Sequence, residues 1–214
     1  MAIKKIRAAI EKGADLIEIR LDYFKIISNE ELTQLLKITE IPKIFTVRKK
    51  DEGGHLKSTE EERIRILKKC IEFKPEFVDI EYSTSNINEL IKLTKKLNVK
   101  TIISYHNFSN TPELNELQKI LLKIEKINGN ISKIITNANN IDDNLRILSL
   151  IKYAKNKIVT FAMGEKGIFS RIFSPYFGGF FTFASIEELT APGQINIENM
   201  HEILDSFSRI KAEK

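Results

Sequence analysis

Short apolar runs alternate with longer amphipathic stretches along the whole chain. The longer stretches repeat apolar positions at the three- and four-residue spacing of a helix. The short runs have the length and the bounding residues typical of strands. Seven runs are strand candidates: residues 14–21, 43–48, 77–82, 99–105, 131–138, 157–163 and 179–185. Each is followed by a helical pattern, and this alternation indicates β/α units that build a parallel sheet.

The number of units predicts an α/β fold, a TIM-type (β/α) barrel with parallel strands. Seven strands are one fewer than such a barrel needs, and the chain opens with a helical pattern that begins at residue 2 and ends at Gly13 instead of a strand. We therefore expect the first strand to be missing. Three explanations remain open: the barrel is closed by other means, its first strand lies before Met1, or the sheet is open or doubly wound. A length of 214 residues favours a single domain over residues 1–214.

Charged residues lie within or at the end of the first five apolar runs. In a parallel β/α fold, functional sites form at the carboxyl ends of the strands. Residues two apart in a strand face the same side, so Glu18 and Arg20 point together, as do Asp79 and Glu81. If that side is the barrel lumen, the charged groups converge. The full set is Glu18, Arg20, Arg48, Asp79, Glu81, His106 and Lys133.

Each of these residues also has an ordinary explanation. A lone strand lysine such as Lys133 is usually a solvated end residue, and His106 by itself fits a loop histidine. Burying several charges costs several kcal/mol each unless they are paired or used. Charges in five successive strands therefore favour a site for a polar ligand. His55 and His201 lie outside this pattern of charged strand residues, and we assign them no function.

Composition narrows the classes of function. The 34 basic and 29 acidic residues are interspersed and leave a net charge of +5, which is too modest and too dispersed to indicate nucleic-acid binding. Cys70 is the single cysteine, and no apolar run reaches the roughly 18 residues of a membrane span. We expect a cytoplasmic protein with no membrane partner.

Seven short segments, in their order and spacing, resemble the type I 3-dehydroquinate dehydratase family, and the resemblance runs from about residue 14 to the C-terminal helix. Each segment is weak evidence by itself, but together they are specific. The segments are Glu-Ile-Arg at 18–20, Phe-Thr-Val-Arg at 45–48 with Glu-Gly-Gly at 52–54, Asp-Ile-Glu at 79–81, Ser-Tyr-His-Asn-Phe at 104–108, Lys-Ile at 133–134, Phe-Ser-Arg at 169–171 and Ala-Pro-Gly-Gln at 191–194.

The resemblance implies dehydration of 3-dehydroquinate to 3-dehydroshikimate in the shikimate pathway of aromatic amino acid biosynthesis, without metal or dissociable cofactor. Lys133 matches the lysine that forms an imine with the substrate ketone, and the ammonium must lose its proton before it attacks. His106 matches the general acid and base. Glu52 matches a carboxylate that orients or assists this histidine. The roles of Asp79 and Glu81 stay open.

The resemblance also implies a set of substrate-binding residues. Arg171 matches the arginine that binds the substrate carboxylate, a task that suits a planar guanidinium. Other positions match groups that hydrogen-bond the substrate or form apolar walls: Glu18, Arg20, Arg48, Thr190, Gln194, Met163 and Phe177. Members of the family often form dimers, and we expect a homodimer here.

Two residues depart from the family pattern, and two other functions stay open. Thr190 replaces a serine and keeps its hydroxyl, whereas Tyr105 stands where asparagine often precedes the histidine. One alternative is a different lysine-imine lyase or aldolase on the same barrel, although the chain has no glycine-rich phosphate loop. The other is an inactive barrel that binds a partner protein or an anionic metabolite through its arginines.

Overall fold

A computed structural model describes residues 2–24, 27–186 and 193–212. Six strands lie within these residues: β1 (Ile17–Arg20), β2 (Lys43–Thr46), β3 (Phe77–Glu81), β4 (Lys100–His106), β5 (Ile131–Asn137) and β6 (Lys157–Met163). The helices there are α1 (Ala2–Glu11), α2 (Asn29–Leu36), α3 (Glu60–Glu72), α4 (Ile87–Leu97), α5 (Leu114–Lys126), α6 (Asp142–Ser149), α7 (Ile168–Phe173) and α8 (Ile197–Ala212).

The strands form one parallel sheet whose order, β1-β2-β3-β4-β5-β6, is the order of the chain. Each strand pairs with the next one along the sequence, and a helix covers the connection between them. The sheet curls into an incomplete barrel, so the predicted parallel β/α barrel fold is confirmed. The predicted opening helix is also present as α1.

The prediction of a seventh strand at residues 179–185 is wrong. This segment makes one backbone hydrogen bond to the start of β6, from Phe180 N to Ile158 O, and one isolated bridge between Ser185 and Asn196. Thr182 bonds through its side chain to the carbonyl of Arg171. Phe181 and Phe183 still pack inward, which accounts for the alternating pattern. The alternation therefore reports which side chains are buried, not a complete ladder of hydrogen bonds.

The alternation of side chains along each strand separates two apolar layers. Residues such as Val78, Ile80 and Ile103 face the helices and belong to the larger cluster of buried side chains. Their neighbours on the opposite face of the sheet line the lumen. The lower lumen is filled by a smaller apolar cluster: Ile44, Ile102, Ile131, Ile135, Val159 and Phe161. The polar lumen residues lie beside this cluster: Asp79 is level with Ile102, and Lys133 is level with Val159.

Helix α3 begins with a capping box that fixes the entry to its first turn. The Thr59 side chain accepts a hydrogen bond from Glu62 N, and the Glu62 side chain accepts one from Thr59 N. Arg63 follows directly and is buried. The capping box thus directs a charged side chain from the helix toward the sheet.

Candidate active site

Lys133 projects from β5 into the lumen and is 3% exposed. Its Nζ donates hydrogen bonds to Asp79 Oδ2 at 2.9 Å and to Glu18 Oε1 at 3.4 Å. The ring of Phe183 lies 4.6 Å from the same nitrogen. The lysine that the sequence singled out therefore sits between carboxylates from β1 and β3, against an aromatic wall.

Arg48 lies just beyond β2 and bridges the carboxylates of β3. It donates to both oxygens of Asp79 at 3.0 Å and to Glu81 Oε1 at 2.7 Å. Burial would lower the pKa of Arg48, but Asp79 and Glu81 outweigh it and raise that pKa above its ordinary value. Conversely, burial would raise the pKa of Asp79, but Arg48 and Lys133 hold it below its ordinary range. Both groups are thus charged at neutral pH.

Glu52 and His106 form a hydrogen-bonded pair at the mouth of the lumen. Glu52 Oε2 lies 3.0 Å from His106 Nδ1 and accepts a hydrogen bond from His106 N at 2.9 Å. Burial raises the pKa of Glu52 to about 7, and the charge of Glu81 adds to the rise. Burial also lowers the pKa of His106 well below its ordinary value, helped by the positive charge of Arg48. The imidazole is neutral at pH 7, which leaves Nε2 free to act as a base.

Arg20 stands at the rim and is held by a residue that the sequence analysis missed. Its guanidinium makes a bidentate pair with Asp22, at 2.8 and 2.7 Å, and donates to Gly53 O at 3.0 Å. Asp22 also accepts hydrogen bonds from Arg48 N and His55 N. Asp22 therefore ties the end of β1 to the loop that carries Glu52. Asp22 lies after the apolar run that predicted the strand, so periodicity gave no signal for it.

Arg171 enters the lumen from α7 and is 4% exposed. Its Nε has no hydrogen-bond partner among the described residues, and NH1 makes one long bond to Phe183 O at 3.4 Å. The guanidinium lies over the Phe161 ring at 4.3 Å. Burial lowers the pKa of Arg171 to about 10 and leaves it a cation at pH 7. A buried cation with no carboxylate partner in the described part of the chain is prepared for an anionic ligand.

The remaining predicted residues are placed differently from one another. Met163 ends β6 and packs on the lumen cluster, and Gln194 is partly buried in the segment before α8. Thr190 lies outside the described residues. Phe177 is 54% exposed in the turn after α7, where it contacts Tyr176, and the structure does not bring it to the site.

Phe183, which the resemblance did not single out, lies beside Lys133 as an apolar wall residue. Helix α7 carries the chain away from the site, and the backbone hydrogen bond from Phe180 N to Ile158 O brings it to the start of β6. The chain then returns along the lumen with Phe183 facing inward. The alternation in residues 179–185 was the available signal, because it marked Phe183 as a buried position.

A curled parallel sheet with a lysine buried among carboxylates and arginines defines a β/α-barrel protein with a lysine-centred site. The family model described as Type I 3-dehydroquinase matches residues 1–211. The chain belongs to this family.

Relatives and solved structures agree with the family. A 3-dehydroquinate dehydratase of Methanocaldococcus jannaschii is 42% identical over 193 residues, which are 89% of this chain and 86% of that protein. One of Methanococcus maripaludis strain C5 is 40% identical over 207 residues, 95% of this chain and 93% of its own.

Among solved structures, the type I 3-dehydroquinate dehydratase of Clostridium difficile matches with a TM-score of 0.91 at 28% identity, covering 97% of this chain and 87% of its own. The 3-dehydroquinate dehydratase of Aquifex aeolicus matches with a TM-score of 0.87 at 31% identity, covering 97% and 94%. The Clostridium difficile structure contains covalently modified comenic acid.

Proposed function

We propose that the chain converts 3-dehydroquinate to 3-dehydroshikimate and water through an imine on Lys133. Membership of the type I family supports the reaction, which is the hydro-lyase step of the shikimate pathway. The observation that carries the residue assignment is the position of Lys133, 3% exposed in the lumen with carboxylates and arginines around it. A buried amine among fixed charges is suited to covalent catalysis, because solvent does not compete for it.

The reaction uses two groups of the protein, Lys133 as the nucleophile and His106 as the base and then the acid. Lys133 attacks the substrate ketone as the free amine, and water leaves as the imine forms. His106 takes a proton from the adjacent carbon, and the electron pair moves into the protonated imine. The resulting enamine expels the hydroxyl one carbon further on, and His106 returns its proton to that hydroxyl. Water then hydrolyses the imine and releases Lys133.

Glu52 acts on His106 and not on the substrate in this proposal. Its contact at 3.0 Å with Nδ1 fixes the tautomer that presents Nε2 to the lumen. Arg171 binds the substrate carboxylate, since its guanidinium is a buried cation with unused donor capacity. Glu18, Arg20, Arg48 and Gln194 bind the remaining polar groups, with Thr190 in the same role.

The apolar wall consists of Met163 and Phe183, in place of the predicted Phe177. Met163 packs on the lumen cluster, and the Phe183 ring faces Lys133. Both apolar side chains exclude water from the part of the lumen that they line, which strengthens the electrostatic interactions within it.

Residues 1–214 form one catalytic domain in this proposal, and two copies associate as a homodimer in the cytoplasm. The family resemblance supports the dimer. No helix in the described parts of the chain is long and apolar enough to cross a membrane. Analytical ultracentrifugation tests the dimer, and a single species at the mass of one 24.7 kDa chain would contradict it.

Borohydride reduction in the presence of 3-dehydroquinate tests the imine. We expect an adduct of substrate or product on one lysine, mapped to Lys133, and formation of 3-dehydroshikimate when the reductant is omitted. Lys133→Ala should abolish both. Lys43 is an internal control, because it is equally buried but its Nζ is bound to the carbonyls of Ile38 and Ile41. No adduct and no turnover in folded protein would overturn the proposed function.

A further inference from the structure

Arg63 is a buried arginine outside the lumen, in the first turn of α3. All five of its N–H groups are used. Nε and NH2 donate to the two oxygens of Glu60 at 2.8 and 2.9 Å, and NH2 also donates to Thr84 Oγ1 at 2.9 Å. NH1 donates to Val47 O at 3.0 Å and to Glu81 Oε2 at 2.7 Å. One side chain thus joins α3, the end of β2 and the end of β3.

Glu81 is shared between Arg63 and the active-site Arg48. Its Oε2 faces Arg63, and its Oε1 accepts from Arg48 NH1 at 2.7 Å and from Lys49 N at 3.0 Å. Glu81 is fully buried. The carboxylate cannot turn toward Arg48 without leaving Arg63, so Arg63, together with the bonds of Arg48 to Asp79 and Ser104, fixes the position of the Arg48 guanidinium.

Arg48 in turn faces the groups that hold Lys133. Its NH2 donates to Asp79 Oδ2 at 3.0 Å, the same oxygen that accepts from Lys133 at 2.9 Å. The charged network therefore runs Arg63, Glu81, Arg48, Asp79, Lys133, with alternating sign. Each member is buried, where charge–charge interactions are weakly screened.

The buried network that includes Glu81 is balanced in charge only when Arg63 is counted. The described ionisable neighbours of Lys133 are Glu18 from β1, Arg48 beyond β2, Asp79 from β3 and His106 from β4. With Glu81 and Arg63 included, the carboxylates Glu18, Asp79 and Glu81 match the cations Arg48, Arg63 and Lys133. Glu60, which also pairs with Arg63, is partly exposed to solvent, and Glu52 with His106 borders the network.

We propose that Arg63 is a positioning residue for the lysine chemistry, acting through Glu81 and Arg48 on Asp79 and Lys133. Loss of its charge leaves Glu81 without its second cation, so Arg48 moves toward Glu81 and Asp79 turns its full charge toward the Lys133 amine. This inference rests on the proposed function for its catalytic consequence, but its effect on the Lys133 amine does not require the substrate.

Reductive methylation with formaldehyde and cyanoborohydride measures the Lys133 amine without substrate. In Arg63→Met we expect the rate of Lys133 labelling at pH 8, followed by peptide mapping, to fall about fivefold or more, because Asp79, once released by Arg48, binds the Lys133 amine more tightly. Arg65→Met is the matched control, since Arg65 lies on the same helix with a side chain that is 75% exposed.

Turnover of 3-dehydroquinate gives the second measurement. We expect kcat of Arg63→Met to fall about 10- to 100-fold through misplacement of the reacting groups, while KM changes little and Arg65→Met stays at the wild-type value. Arg63→Lys keeps the charge but not the five-donor fork. It should restore Lys133 labelling and recover kcat only in part.

The outcomes separate this inference from the proposed function. Folded Arg63→Met with wild-type labelling and wild-type kcat would overturn the role of Arg63. If Arg63→Met does not fold, Arg63→Lys decides, and a wild-type kcat in that variant would overturn the role. Inactive wild-type protein would overturn the proposed function, and the labelling comparison would still test Arg63.

Discussion

Glu52 is a single residue whose surroundings disfavour its charged form. Only 8% of it is exposed, and Glu81 lies near enough to raise its pKa further. The folded protein binds a proton at Glu52 up to about pH 7, whereas the unfolded chain releases it near 4.5. The contribution of Glu52 to stability is therefore present below pH 4.5 and is lost as the pH rises through about 7.

Glu52→Gln should separate the stability of the fold from its activity. At pH 8 we expect the free energy of unfolding to rise by about 1–3 kcal/mol, because the cost of ionising Glu52 is removed. At the same pH kcat should fall about 10- to 100-fold, because His106 loses its charged partner. Urea denaturation at pH 5 and pH 8, beside steady-state kinetics, measures both. A variant less stable than wild type at pH 8 would contradict the assignment.

Arg171 is the complementary case of an arginine buried without a carboxylate partner among the described residues. Arg171→Met should raise KM about 100-fold or more, since a charge-assisted pair with the substrate carboxylate is lost. The free energy of unfolding should stay the same or increase, because an uncompensated buried charge is removed. Arg146→Met is the contrasting variant: Arg146 pairs with Asp143 at 2.6 Å, so its loss should lower stability and leave KM unchanged. A rise in KM for both variants would argue against a specific role for Arg171.

The charged residues of the strands were predictable from the sequence, and the residues that hold them were not. Alternation places Glu18, Asp79 and Lys133 on one face, and the structure has them in contact. Asp22 and Arg63 were not predicted, because they lie outside the strands, where strand periodicity does not indicate which way a side chain points. Their contacts depend on how separate elements pack.

At the scale of elements, the loop after β2 is positioned by close backbone packing. A Cβ at Gly54 would lie 2.0 Å from Arg48 O, and the next residue, His55, donates its backbone N–H to Asp22. The loop carries Glu52 in the short helical turn Lys50–Glu52. The geometry of the Glu52–His106 pair therefore depends on Gly54, although Gly54 contacts neither side chain.

Gly54→Ala should displace this loop. We expect kcat/KM to fall about tenfold or more, because an added methyl group cannot fit against the Arg48 carbonyl and the loop must move with Glu52. Asp51→Ala, an exposed position in the same loop, should leave kcat/KM within about twofold. The two variants are compared by steady-state kinetics. Equal kinetics in both would show that the position of the loop does not limit the reaction.

The strands themselves were predicted well because they are buried on both faces. Isoleucine and valine dominate them, and β6 has the predicted bounds, residues 157–163. The run at 179–185 shows where the pattern stops being informative. It shares the apolar alternation of a strand, but Phe180 and Ser185 make its described backbone bonds to the sheet and the segment before α8. The apolar pattern of one segment does not indicate whether its backbone forms hydrogen bonds with a neighbouring strand.

At the scale of the whole molecule, both faces of the sheet contribute to stability, whereas the candidate site lies on the lumen face. Ile102 and Ile103 are adjacent in β4 and fully buried, but Ile102 faces the lumen cluster and Ile103 faces the helices. The two residues differ mainly in which apolar layer they support.

Ile102→Val and Ile103→Val form a matched pair across the sheet. Each should lower the free energy of unfolding by about 0.5–1.5 kcal/mol, because each removes one buried methylene. Only Ile102→Val should change kcat/KM, since its cluster includes Phe183, the ring against Lys133. Urea denaturation and kinetics on both variants test this. A kinetic defect of equal size in Ile103→Val would show that the two layers are coupled.

Because the sheet follows chain order, its paired strands are close in sequence: Ile17 pairs with Lys43, Phe77 with Lys100 and Ile131 with Lys157. Such local pairing allows the chain to fold one unit after another at a low loop-closure cost. The bond between Lys133 and Glu18 spans 115 residues and closes the curl. During synthesis, the carboxylates Glu18 and Asp79 and the cation Arg48 are made before Lys133, the cation that arrives with β5. Lys133 is therefore the counter-ion that completes the charged contacts between β1, β3 and β5.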